Sequence, residues 1–199
     1  VEEISIPWHH DGYDITAALV MEGSARFLFS QNAVGYGLGV HHPEALVQFW
    51  TEAWRARPER LPDIGKFALL FGSFLEESSP GRFYGKAQNL RRLLRAAYDA
   101  ALTRYDVLAL PTMPFPATSL PASGASLGER VTRGLDMEGN TAPFDASGHP
   151  AISVPCGMVE GLPIGLMLAA RHFDEQNLLR AASGFEMLGD WKSNSATES

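Results

Sequence analysis

The residues that could do chemistry are few, and each comes with a spacing that can be judged. Gly124-Ala-Ser126-Leu-Gly128 has the G-x-S-x-G pattern of a nucleophile elbow, and Asp136 or Asp145 followed by His149 repeats a Ser, Asp, His chain order. An elbow must leave a buried strand and open a helix. This one follows the proline-rich TMPFPATSLPAS and runs into the polar ERVTRG, so Ser126 is expected in a flexible loop. The pairs His9-His10 and His41-His42 offer imidazoles, with Asp11 beside the first. Neighbouring side chains in extended backbone point to opposite sides, so a metal would take one from each pair, and no third ligand is indicated. These histidines are expected in loops, and no metal is expected.

Gly35-Tyr-Gly37-Leu-Gly39 resembles a phosphate cradle but lacks the following Lys and Ser/Thr, so a turn is expected there. A lysine base must be desolvated to lose its proton near neutrality. The chain has three lysines: Lys66 on an apolar helix, Lys86 in a first helical turn and Lys192 in a polar tail. None has a serine-rich strained loop nearby, and the pair Ser78-Ser79 lacks flanking glycines. No complete hydrolytic constellation is visible.

Composition narrows the class. The chain has 199 residues, 16 Lys plus Arg against 23 Asp plus Glu, a net charge of −7, and 45% apolar residues. That length supports a core burying roughly 70% of the unfolded chain's surface. The acidity argues against binding nucleic acid, which takes clustered cations. A single cysteine, Cys156, excludes an internal disulfide or a multi-thiolate zinc site and fits a reducing compartment, and no apolar run approaches the roughly 20 residues that span a bilayer, so a cytoplasmic protein without membrane contact is expected. The opening Val1–Pro7 alternates in hydrophobicity like part of a strand, and the absence of Met there suggests a fragment or a processed chain.

The elements that must position these groups follow from periodicity. Residues 12–58 read as two helices around a loop from Gln31 to His42, Pro43 opening the second, with Phe49, Trp50, Ala53 and Trp54 along its apolar side. A third helix is expected over 63–77, capped by Asp63 and weakened by Gly72. Residues 84–105 form the clearest helix, with Leu90, Leu93, Leu94, Ala97, Ala101 and Leu102 as its stripe. A buried strand follows at 106–110. From 111 to 163 eight of the thirteen prolines and seven glycines exclude a long helix. Strands are expected at 151–154 and 164–169, a helix at 174–188, and disorder in the tail after residue 190. This alternation defines an α/β class.

The ordered segments YGKAQNLRRLL, YDVLALPTMPFPA, GNTAPFDASGHPAISVPCG and GLPIGLMLAARHFDEQNLLRAASGFE, spanning residues 84 to 186, resemble the C-terminal part of the amidase signature family. Residues 1–83 agree loosely with the helical region preceding it. The wording of Asn140–Phe144 and Gly148-His149-Pro150 is closer to bacterial amidases of nitrile pathways than to the amidase-like subunit of glutamyl-tRNA amidotransferase, a transamidase that is the alternative reading.

The resemblance implies a mixed β-sheet core flanked by helices, with residues 1–83 mainly helical and 84–190 supplying helix, core strands and a cleft loop. It implies hydrolysis of small carboxamides to acid and ammonia, through a nucleophilic serine, a bridging cis serine and a lysine base. All three lie in the family's N-terminal half, and no segment here matches them. No catalytic residue is therefore assigned, no cofactor is expected, and the implied partners are an amide substrate, the other half of the enzyme and a second copy of the chain. Asn140, Thr141, Phe144 and His149 are the substrate-binding candidates, with Phe144 as a wall for the acyl group. For Asn140 and His149, hydrogen bonds that hold irregular backbone outweigh substrate contact.

Overall fold

The computed structural model describes residues 1–30 and 41–191. The glycine-spaced segment 35–39, Lys192 and the polar tail therefore lie outside the described residues. Cα packing divides the chain into two compact units: one takes Val1–Thr16, Asn89–Leu120 and the chain from Leu135 on, the other Ala17–Gln88 and Pro121–Gly134. In chain order the helices are α1 (Trp8–Ser24), continued by a π-helical turn Ala25–Ser30, α2 (Glu44–Ala56), α3 (Asp63–Ser78), α4 (Arg82–Leu102), α5 (Leu127–Leu135), α6 (Ala142–Ser147) and α7 (Glu175–Glu186). The strands are β1 (Leu108–Pro111), β2 (Ala151–Val159) and β3 (Leu162–Ala169). This is the expected α/β class. Among the described residues no helix is long and apolar enough to cross a membrane.

In the first unit the sheet has the order β1-β3-β2, and both pairings are antiparallel. The strands β2 and β3 extend further toward each other than the turn residues suggest. Their connection is two residues, Glu160 (φ 52°) and Gly161 (φ 75°), both left-handed as a tight hairpin with matching twist requires. Pro155 is accommodated because the register shifts between Pro155 and Gly157, leaving Cys156 as the extra residue of a bulge. Its thiol reaches the carbonyl of Ile164 at 3.6 Å, and burial raises its pKa. The helix α7 covers the sheet, where Val154, Leu168, Ala170, Leu178 and Ala182 form a core flanked by Ile152, Leu166 and Phe185. Trp191 stacks on Phe185 at 4.9 Å.

Val1–Pro7 forms no strand; α1 starts at Trp8, with the His9 N–H bonded to Ile6 O. Alternation over seven residues is not enough without a neighbouring strand to supply ladder bonds. The consequence is that His9 and His10 sit on a helix rather than in a loop, about 100° apart around its axis. His9 turns inward and His10 is exposed. The buried stripe of α4 also differs from the expected one: Leu94, Tyr98 and Leu102 are essentially inaccessible, while Leu93 is half exposed. Tyr98 takes the inward place because its hydroxyl finds a partner there in His9.

In the second unit α3 packs on the end of α1 and its π-helical turn, burying Met21, Ala25, Phe29, Ala68 and Leu75. Gly72 is the contact point: a Cβ there would stand 2.6 Å from the Ala25 Cβ and closer still to Met21 O. The glycine that reads as a helix weakness in sequence is what lets the two backbones approach. Glu22 is fully buried, and its Oε2 accepts the Tyr84 N–H at 2.6 Å, satisfying an end donor of α4 with a negative charge. Phe29 meets Trp54 edge-on at 5.4 Å, and the Trp50 indole donates to Leu28 O at 3.0 Å. Asp63 is not a cap; its carboxylate pairs with Arg130 at 2.6 Å.

Candidate functional site

Ser126, the serine of the G-x-S-x-G pattern, does precede a helix, α5, contrary to the loop expected from sequence, but no strand leads into it. Its Oγ accepts the Glu129 N–H at 3.2 Å. Ser126-Leu-Gly-Glu129 is an S-x-x-E capping pattern, and that signal accounts for this serine. Lys66 is no buried base either, since its Nζ donates to Glu59 O at 2.9 Å near the surface, and Lys86 is exposed.

A connected polar arrangement lies in the first unit around Tyr98, drawing on α1, α4, the end of β1 and the residues that open α6. The Tyr98 hydroxyl is 2.7 Å from His9 Nδ1, His9 Nε2 is 3.3 Å from Asn140 Oδ1, and Asn140 Nδ2 donates to Pro111 O at 2.8 Å. The proton positions follow from the last link. A carbonyl can only accept, so the Asn140 amide nitrogen faces Pro111 and its oxygen faces His9. His9 must then carry its proton on Nε2, and Nδ1 accepts from Tyr98. Burial lowers the His9 pKa, opposed by the bond to Asn140 and reinforced by His10, while burial raises the Tyr98 pKa. A neutral imidazole and a protonated phenol are what the relay needs.

Two more contacts hold this arrangement. Phe144, 5% exposed, stacks on Tyr98 at 4.8 Å and 25° and also faces His9. The Thr16 hydroxyl lies 2.7 Å from Ala142 O, and Gly12 leaves no room for a Cβ against Pro143, so the α1 backbone packs directly on the Pro143 ring of α6. Arg91 Nε donates to Ala146 O at the other end of α6. The turn ends at Gly148 (φ 79°), whose N–H bonds Phe144 O at 2.7 Å in a left-handed cap.

That cap delivers His149, whose side chain is inaccessible, into a second cluster. Its Nδ1 is 3.0 Å from Ser147 Oγ and its Nε2 3.2 Å from Asp99 Oδ1, and its ring lies 4.1 Å from that of His172. Burial is the largest cause of its lowered pKa, His172 adds to it, and Asp99 opposes it. Before and within α6, burial raises the Glu138 carboxyl with help from Asp145, and burial also raises Asp145.

Of the four residues singled out in sequence, Asn140 and Thr141 are half-buried at the start of α6, whereas Phe144 and His149 are packed behind them. Sequence reasoning missed Tyr98, Asp99 and His172, and it weighed His9 only as a loop histidine. Tyr98 was legible as a stripe position, four after Leu94. The others carry no local signal, because their partners are distant in the chain: His149 is 50 residues from Asp99, and Asn140 is 131 from His9.

The fold belongs to a known class. The chain belongs to the amidase family, whose model matches residues 1–179. It is 39% identical over 179 residues to a Rhodococcus erythropolis protein named for its place in the nthA 5′ region, covering 88% of each chain. It is 34% identical over 192 residues to the enantioselective amidase of Rhodococcus rhodochrous, covering 96% of this chain and 37% of that one. A crystal structure of an amidase superposes with a TM-score of 0.66 at 26% identity, covering 94% of this chain and 37% of that one. The chain thus spans well under half the length of that amidase relative.

Proposed function

We propose that this chain supplies the C-terminal portion of an amidase that hydrolyses small carboxamides to carboxylic acid and ammonia through a serine acyl-enzyme. The serine, bridging serine and lysine are provided by family sequence that this chain does not contain, and the chain by itself is inactive. Asn140 and Thr141 take the substrate-facing part of the pocket, and Phe144 and His149 hold them from behind. One observation carries this reading: Asn140 is fixed on both sides, by Pro111 O at the end of β1 and by His9, while staying half-buried. Such a tether prepositions the loop from 138 to 141, and positioning is a large part of what an amide-cleaving site must supply. The enzyme is cytoplasmic and homo-oligomeric in this reading, supported by the single free Cys156 and by the exposed Leu46, Phe49, Leu70 and Phe74.

The test is a graft. Residues 1–191 replace the matched segment of the enantioselective amidase, and ammonia release from a simple amide is followed. Hydrolysis by the graft, none by the isolated chain, and a kcat/KM about tenfold lower for Asn140→Ala in the graft are expected. A folded but inactive graft, or serine-dependent hydrolysis by the isolated chain, overturns the reading.

A further inference from the structure

The cluster around His149 brings one carboxylate and two imidazoles together. Asp99, His149 and His172 come from α4, from the turn after α6 and from the loop between β3 and α7, and one ligand atom of each lies within 4.8 Å of the other two. The Asp99 Oδ1 to His149 Nε2 distance of 3.2 Å is close to the edge of a tetrahedron around a zinc-type ion, roughly 3.3 Å for bonds of about 2.0 Å. Independently, His172 Nε2 is shielded from solvent and has no hydrogen-bond partner. A shielded imidazole nitrogen beside a carboxylate and a second imidazole is a donor set that suits zinc, cobalt or nickel.

The surroundings orient the ligands. Ser147, wholly buried, lies 3.0 Å from His149 Nδ1 and 3.4 Å from Phe144 O. If His149 Nδ1–H donates to Ser147 and Ser147 donates to Phe144 O, the Nε2 lone pair faces the Asp99 carboxylate. In that tautomer Nε2 and Oδ1 are both free to ligate one cation; in the other, Nε2–H donates to Asp99 Oδ1 and metal binding displaces that proton. Orientation of a ligating imidazole through its other nitrogen is the usual outer-shell device. Arg95 competes, with its Nε 3.7 Å from Asp99 Oδ2, but it holds the oxygen that does not face the histidine.

We propose that Asp99, His149 and His172 bind one divalent transition-metal ion, which ties α4, the α6 turn and the β3–α7 loop together. Asp99 is half exposed, so a fourth position is left to water. The ion is structural and takes no part in amide cleavage, so its test does not depend on activity.

The chelator-treated 199-residue chain is titrated with Co2+, read by its visible absorption, and with Zn2+ against a chromophoric chelator, while thermal melting is followed by circular dichroism. One equivalent bound with a Kd of about 1 µM or below is expected, with a Tm that rises with Zn2+. His172→Gln weakens binding more than about tenfold and abolishes the Tm shift, whereas His10→Gln changes neither. His172→Ala, with no polar group at that position, gives the same loss. Absence of saturable binding, or weak binding of several ions that is the same in wild type and H172Q, overturns the proposal.

Discussion

His9 Nδ1 lies 2.7 Å from the hydroxyl of Tyr98, joining the first turn of α1 to the middle of α4 across 89 residues of sequence. Because Tyr98 is 1% exposed, the bond is made away from water. Tyr98→Phe keeps the ring and its stacking on Phe144 but leaves Nδ1 as a shielded acceptor, a loss of about 1–3 kcal/mol. Urea unfolding of the two proteins measures it, and equal midpoints would exclude the relay.

The same relay fixes a pH dependence. Burial holds His9 below its ordinary value of 6.5, so between its folded pKa and 6.5 the unfolded chain binds more protons. The His9 contribution is therefore complete above 6.5 and is lost as pH falls below it. Melting temperatures from about pH 7.5 down to about pH 5 should drop less steeply in His9→Gln than in the wild type. Parallel profiles would show that His9 is not neutral in the fold.

Phe144 is where the sequence reading and the packing place different demands on one residue. It is buried against Tyr98 and His9, and truncating such a ring leaves a cavity. Phe144→Ala is expected to cost about 3–5 kcal/mol in equilibrium unfolding. A loss under about 1 kcal/mol would mean the ring is an open pocket wall rather than core.

For Gly72 the sign of the effect decides. Alanine in a helix interior ordinarily stabilises by about 0.5–1 kcal/mol. Here its methyl would press on Ala25 and Met21 O, which costs about 1–3 kcal/mol. Gly72→Ala should lower the Tm, and a raised Tm would remove the close contact between α3 and α1.

Ser126→Ala tests the capping assignment. Losing the bond to the Glu129 N–H is expected to cost about 1 kcal/mol. Ammonia release by the active graft should be unchanged, and its loss would restore Ser126 as a nucleophile.

Local pattern settled much of this protein. The long helix around Leu94, the existence of strands beginning at Ala151 and near Ile164, the acid-led α7 and the amidase resemblance of residues 84–186 are all properties of neighbouring residues, which interact in any conformation. So is the S-x-x-E cap at Ser126. The rest depends on which distant groups meet. Whether His9 is a loop histidine or a neutral link between Tyr98 and Asn140 depends on how the start of α1 packs with α4 and α6 in one unit, and whether Gly72 is a flaw or a contact depends on how α3 meets the end of α1 in the other. The pairing of His149 with Asp99 and His172 likewise joins α4, a left-handed turn and the loop after β3. Periodicity says that a face is buried, but it carries no information about the partner. A hydrogen bond, a close approach or a pKa is set by distance, and only the tertiary structure sets distances between residues so far apart in the chain.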